Sequence, residues 1–146
     1  MLFRSPLLQF GGRAGLSYSF TGEKITDQQL LEVYETFRRP GLSFTCFPKV
    51  NKGGVPGYVF VCLTEDHAAR QHDLSADAFD RALMRINEEY ASKRKSGRLA
   101  PPEVVTCSYE QLVGKVMRSD PRYAGASPAQ FKLLPLYQVF WEQLAG

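Results

Sequence analysis

The sequence predicts an α+β fold: helices packed on a mostly antiparallel sheet, with a β-hairpin at the N-terminus. Three observations lead there. Leu16 to Phe20 and Leu42 to Cys46 alternate large apolar with small polar residues, the period of a strand. Tyr58 to Leu63 is β-rich and nearly all apolar, the composition of a strand covered on both faces. Between these runs stand stretches with apolar residues three and four apart, the stripe of an amphipathic helix. A chain of 146 residues, 44% apolar and 23% charged, is long enough for one such domain with a sizeable core.

The elements follow in order. Leu7 to Phe10 and Leu16 to Phe20 flank Gly11-Gly12-Arg13-Ala14-Gly15 and predict the first hairpin, which Thr21-Gly22-Glu23-Lys24 closes. Thr26 and Gln29 have capping-box spacing, and Leu30, Val33, Tyr34 and Phe37 line the helix they open, which Pro40-Gly41 stops. Leu42, Phe44 and Cys46 against Ser43 and Thr45 predict a half-buried strand. Asn51-Lys52-Gly53-Gly54 turns it into the central strand Tyr58 to Leu63. Ser75 caps a second helix, with Asp77 and Asp80 at its positive start and Phe79, Leu83, Ile86 and Tyr90 on its buried face. A basic loop from Lys93 to Arg98, then Pro101-Pro102, leads to a short strand, Val104 to Cys107. Ser108 and Gln111 repeat the capping box for a helix carrying Leu112, Val113, Val116 and Met117, ended by Asp120-Pro121. The tail from Gln130 to Leu144 is too apolar to stay in solvent and must fold back on the domain, on a partner, or both.

Charge narrows the function. Eighteen Lys and Arg against fifteen Asp and Glu give +3, and the excess comes from Lys93, Arg94, Lys95 and Arg98 alone. That is too mild and too local to announce nucleic acid or membrane as a partner. The four read as solvated loop charges; RNA contact is the sharper alternative, and it would want interleaved aromatics where only Tyr90 is near. The three cysteines (Cys46, Cys62 and Cys107) lie far apart in apolar context, without a Cys-x-x-Cys. They read as buried residues on strands of a reduced, cytoplasmic protein, and no metal site is expected. No apolar run approaches the roughly 20 residues of a membrane span, and Met1 to Pro6 is too short and polar for a secretory signal.

Two constellations could carry chemistry. Arg13, in a hairpin turn, could reach an anion, and Gly22, Glu23 and Lys24 would form a ligand-facing loop whose glycine lets a ligand approach the start of the next helix. The plainer alternative is a turn arginine and a helix-entry glycine. Lys132, following Gln130-Phe131 in an apolar tail, must bring its ammonium to water or to an acceptor. It reads either as a mobile point charge for a phosphate or carboxylate, or as a snorkelling surface lysine. His67 and His72 share one acidic connector with no nucleophile motif, and Glu88-Glu89 diverge on a helix.

In order, Leu8-Gln9-Phe10-Gly11-Gly12-Arg13-Ala14-Gly15, Thr21-Gly22-Glu23-Lys24-Ile25-Thr26, the Phe79-to-Tyr90 helix, Pro102-Glu103-Val104 and Gln130-Phe131-Lys132 resemble the C-terminal domain of the auxin-responsive acyl acid amido synthetases, the Gretchen Hagen family. These belong to the acyl-adenylating superfamily. The resemblance runs from about Leu7 to Pro135. It implies a small C-terminal lid domain spanning 1–146, with hairpin and hinge-like turn in 7–25, an α+β body in 26–120, and the lysine loop and apolar tail in 121–146. It further implies that Lys132 is the catalytic lysine for adenylate formation and that Gly12 and Arg13 are the hinge about which the lid swings for transfer. The complete enzyme would use ATP and Mg, an acyl acid and an amine or thiol acceptor. An N-terminal adenylation domain would be the partner; this chain lacks it, being either an excised domain or a separately encoded one, and would be inert alone. The chain departs from the superfamily pattern at Gly15, where an acidic residue is common, and at Leu133-Leu134-Pro135-Leu136, where a proline and an arginine commonly follow the lysine. The rival function is a stand-alone α+β module binding RNA or a protein.

Overall fold

The computed structural model describes residues 16–37, 43–50, 53–64, 75–127, 129 and 131–145. Strands β1 (Ser17–Tyr18) and β2 (Ile25–Thr26) pair antiparallel, and helix α1 (Asp27–Phe37) follows at once. Strands β3 (Phe44–Val50) and β4 (Pro56–Thr64) form an antiparallel hairpin. Helices α2 (Ala76–Ile86) and α3 (Glu88–Ser96) cross over to β5 (Glu103–Ser108), which lies parallel to β4. Helix α4 (Tyr109–Ser119), a 3-10 turn (Pro121–Tyr123) and helix α5 (Trp141–Ala145) complete the described elements. The main sheet has the order β3-β4-β5, so Tyr58 to Leu63 is central as expected. Helices and a mostly antiparallel sheet make the α+β class that the sequence predicts.

The sheet is covered on both faces, and the alternation along β4 shows how. Tyr58, Phe60 and Cys62 join Phe44 and Cys46 of β3 in one core with Leu30 and Val33 of α1 and Phe79 and Leu83 of α2. Val59 and Val61 point the other way, into a second core with Phe47, Leu112 and Val116 of α4, and Leu133, Tyr137 and Leu144 of the tail. Side chains of a strand alternate between faces, so a central strand covered twice must be apolar at every position.

Both capping boxes form. The Thr26 amide donates to Gln29 Oε1 and the Gln29 amide to Thr26 Oγ1; Ser108 and Gln111 do the same. Ser75 caps α2 through the Ala78 amide. Cys46, Cys62 and Cys107 all sit on strands of the sheet.

Four expectations change. The strand expected at Leu16 to Phe20 shortens to Ser17–Tyr18 and pairs forward with Ile25–Thr26, so Thr21 to Lys24 is the turn of its own small hairpin rather than a strand end. The other expected partner, Leu7 to Phe10, lies outside the described residues. Strand β3 is not half-buried: Phe44 to Pro48 are all buried, Thr45 included. Its second face is covered by Leu133 and Tyr137 of the tail, and the tail also pairs with its outer edge, where the Cys46 amide donates to the Pro135 carbonyl and the Tyr137 amide to that of Cys46. The helix drawn through Tyr90 breaks at Asn87, which ends α2 and caps α3 through the Tyr90 amide. The basic stretch is no loop either: Lys93, Arg94 and Lys95 form the last turn of α3, where cations suit the negative helix end, and Gly97 closes it at φ 82°.

Candidate functional site

Two places emerge from the sequence, the 20–24 turn and the segment around Lys132. Gly12 and Arg13 lie outside the described residues, as does Gln130.

In the turn, Gly22 and Lys24 are exposed but Glu23 is buried. Its carboxylate faces inward. It accepts from the Phe20 amide (2.8 Å), the Thr21 amide (2.8 Å), Thr21 Oγ1 (2.9 Å) and Tyr58 Oη (2.6 Å). Burial alone would raise the Glu23 carboxyl; the hydrogen bonds from Tyr58 and the turn amides outweigh it and hold the group below its ordinary value. Asn87 Nδ2 donates to the carbonyls of Glu23 (2.9 Å) and Lys24 (3.0 Å), tying the turn to the α2–α3 junction. Gly22 stands at φ 107°, a conformation that favours glycine.

Several main-chain amides around the turn are engaged within the chain. The Gly22 amide donates to Ser19 Oγ, the Asp27 amide to the Leu16 carbonyl, the Gln28 amide to Asp27 Oδ1 and the Gln29 amide to Thr26 Oγ1. The amides that would receive a phosphate are already satisfied within the chain, and Asp27 sets a carboxylate at the start of α1. Within the described residues the turn is an anchor, held through Glu23 and Asn87.

The second place is built differently. Phe131 and Leu133 are buried, Lys132 between them is exposed, and Leu134 is half-buried. Phe131 packs on the Tyr123 ring, centroids 5.0 Å apart, and on Tyr109 at 6.2 Å. Leu134 O accepts from Thr45 Oγ1 at 2.6 Å. Tyr137 stacks on Phe47, centroids 4.8 Å apart and planes 10° from parallel. Tyr123 Oη donates to the Lys132 carbonyl at 3.2 Å and lies 3.1 Å from Tyr137 Oη, which accepts from the Leu134 amide at 3.1 Å. The lysine backbone is therefore fixed on both sides while its ammonium forms no ion pair with a described residue. Burial pushes the phenols of Tyr123 and Tyr137 above their ordinary range, so both keep their protons.

Sequence reasoning singled out Lys132 and its apolar neighbours. It missed Tyr123, Tyr137 and Thr45, because each acts on a main-chain group through the fold; the one local hint is the Asp120-Pro121 turn start that delivers Tyr123.

The remaining candidates carry less. Arg94 pairs with buried Asp80 at 2.8 Å, and Lys93 with Glu89 at 3.3 Å, so two of the four basic residues are engaged within the chain. Burial pushes the Cys62 thiol up to about 12 and raises that of Cys46 as well, which suits core residues and not nucleophiles. Among the described residues no three potential metal ligands come together. No helix among them is long and apolar enough to cross a membrane.

Comparison with known proteins places these observations. A family model described as the GH3 family C-terminal domain matches residues 26–139. Among solved structures, a GH3.15 acyl acid amido synthetase is similar over 90% of this chain, with a TM-score of 0.59 at 17% sequence identity, a likeness of fold. The chain spans 25% of the length of that structure. No curated protein matches the chain.

Proposed function

This chain belongs to the GH3 family as a C-terminal domain, and on that premise we propose that it is the lid of an ATP-dependent acyl-adenylating ligase resembling the acyl acid amido synthetases. One observation carries the reading: an exposed lysine on a backbone held from both sides, in a tail that is otherwise mostly folded into the core. A point charge at a reacting phosphate must reach outward without wandering, because its value lies in being aimed before charge develops. Lys132 meets that requirement. Brought over a nucleotide and an acid held by an adenylation domain, its ammonium would neutralise charge on the α-phosphate and on the attacking carboxylate. The acid oxygen attacks the α-phosphorus and pyrophosphate leaves; an amine or thiol then attacks the acyl carbon of the adenylate and AMP leaves.

Magnesium and ATP would be held by the adenylation domain, as the resemblance to the acyl acid amido synthetases implies. Gly12 and Arg13 would be the pivot, and residues 1–146 would move as the lid in the cytoplasm. The 20–24 turn would serve the swing by anchoring the start of the domain through Glu23, not by contacting ligand.

The test is acid-dependent exchange of pyrophosphate into ATP. This chain alone should give none. Joined to the adenylation domain of a family member it should support exchange that the adenylation domain alone does not. Exchange catalysed by the chain alone would refute the reading.

A further inference from the structure

We infer that Tyr123 and Tyr137 are positioning residues for Lys132, a pair of phenols that fixes where its ammonium can go. The inference rests on the reading of Lys132 as the adenylation lysine. The hydrogen-bond directions follow from the inventory of each group. The Lys132 carbonyl can only accept, so the single hydroxyl proton of Tyr123 points to it, at 3.2 Å. Tyr123 Oη is then the acceptor in its 3.1 Å contact with Tyr137, whose own proton must supply that bond. Tyr137 Oη in turn accepts from the Leu134 amide at 3.1 Å. A closed path results, from the Leu134 N–H through two hydroxyls to the Lys132 C=O, that brackets residues 132–134.

Both rings are themselves immobilised. Tyr137 is fully buried and stacked on Phe47, and Tyr123 packs on Phe131. From Leu134 onward the segment is held by β3 through Thr45 and Cys46. Between the buried side chains of Phe131 and Leu133, the phenol pair holds the main chain of the part that carries the lysine. Burial raises both phenols, so the path keeps its protons through neutral pH.

The experiment replaces Tyr123→Phe, which keeps the ring against Phe131 and removes only the hydroxyl, alongside Lys132→Ala. In the 146-residue chain, amide hydrogen exchange at Leu134, whose N–H begins the path, should speed up in Tyr123→Phe while the rest of the sheet is unchanged. In the chain joined to an adenylation domain, adenylate formation should fall about fivefold, the factor of one lost hydrogen bond. KM for ATP and acid should hold, and transfer from preformed adenylate should be unaffected. A drop in both half-reactions alike would mark a merely structural tyrosine and overturn the inference. So would normal adenylation in Tyr123→Phe, or unchanged exchange at Leu134, with Lys132→Ala inactive. Normal adenylation in Lys132→Ala would instead overturn the reading on which the inference stands.

Discussion

At the scale of single residues, two buried carboxylates hold this domain together, and each makes a prediction. Glu23 accepts four hydrogen bonds and is held below its ordinary value of 4.5. A carboxyl lower in the folded than in the unfolded state stabilises the fold above its unfolded value, and that stability is lost as pH falls through the folded one. Glu23→Gln should therefore cost about 1–2 kcal/mol at neutral pH, with the gap to the parent closing in acid. Urea midpoints of the two proteins between neutral pH and acid check both halves. Asp80 is the second. It accepts from Tyr90 Oη and from two nitrogens of Arg94, all at 2.8–2.9 Å. Arg94→Met should leave that carboxylate buried and half-paired, at about 3 kcal/mol. Coupling it with Asp80→Leu should recover part of the loss, as urea titration of the double variant would show. Neither carboxylate was legible as structural. Asp80 looked like a helix-start charge and Glu23 like a ligand-facing one, because the hydroxyls, amides and guanidinium they meet come together only in the fold.

At the scale of elements, what was legible was what is local. Two capping boxes, the Ser75 cap and the central strand all depend on residues within a few positions of each other. The second face of β3 was not legible, since its cover comes from residues about ninety positions on, with Thr45 bonded to Leu134. The break at Asn87 hid because Phe79, Leu83, Ile86 and Tyr90 keep helical spacing straight across it. Asn87 ends one helix and begins the next because its amide also finds the carbonyls of Glu23 and Lys24. Asn87→Ala removes the cap and those bonds together and should cost about 2 kcal/mol, measurable as a lowered urea midpoint. The basic stretch was misjudged as a loop for a related reason: its cations suit a helix end, and two of them have acidic partners along the helices. With Arg94 and Lys93 engaged, α3 should bind RNA only non-specifically, with affinity that vanishes as salt rises. Tight binding at physiological salt in a filter assay, lost on neutralising Lys95 and Arg98, would revive the rival function.

For the whole molecule, the two cores divide the work. One fastens the hairpin and α1 to the sheet; the other folds the tail over β3 and delivers Lys132 at a fixed place with a free head. In the proposed reading, a domain so arranged moves as a body and brings one charge to a site on the adenylation domain. That is the use we propose for this GH3 family C-terminal domain and its exposed, bracketed lysine. The most direct measurement compares the two half-reactions of Lys132→Ala with those of the parent, in the chain joined to the adenylation domain of a family member. Loss of a preorganised charge at a transition state is worth roughly 3–4 kcal/mol, a factor of about 10²–10³. An exposed side chain removed from a surface changes folding stability by no more than about 0.5 kcal/mol. Adenylate formation should fall by that factor, the unfolding midpoint should hold, and transfer from preformed adenylate should change little. Adenylate formed at the parental rate would contradict the account at its central residue.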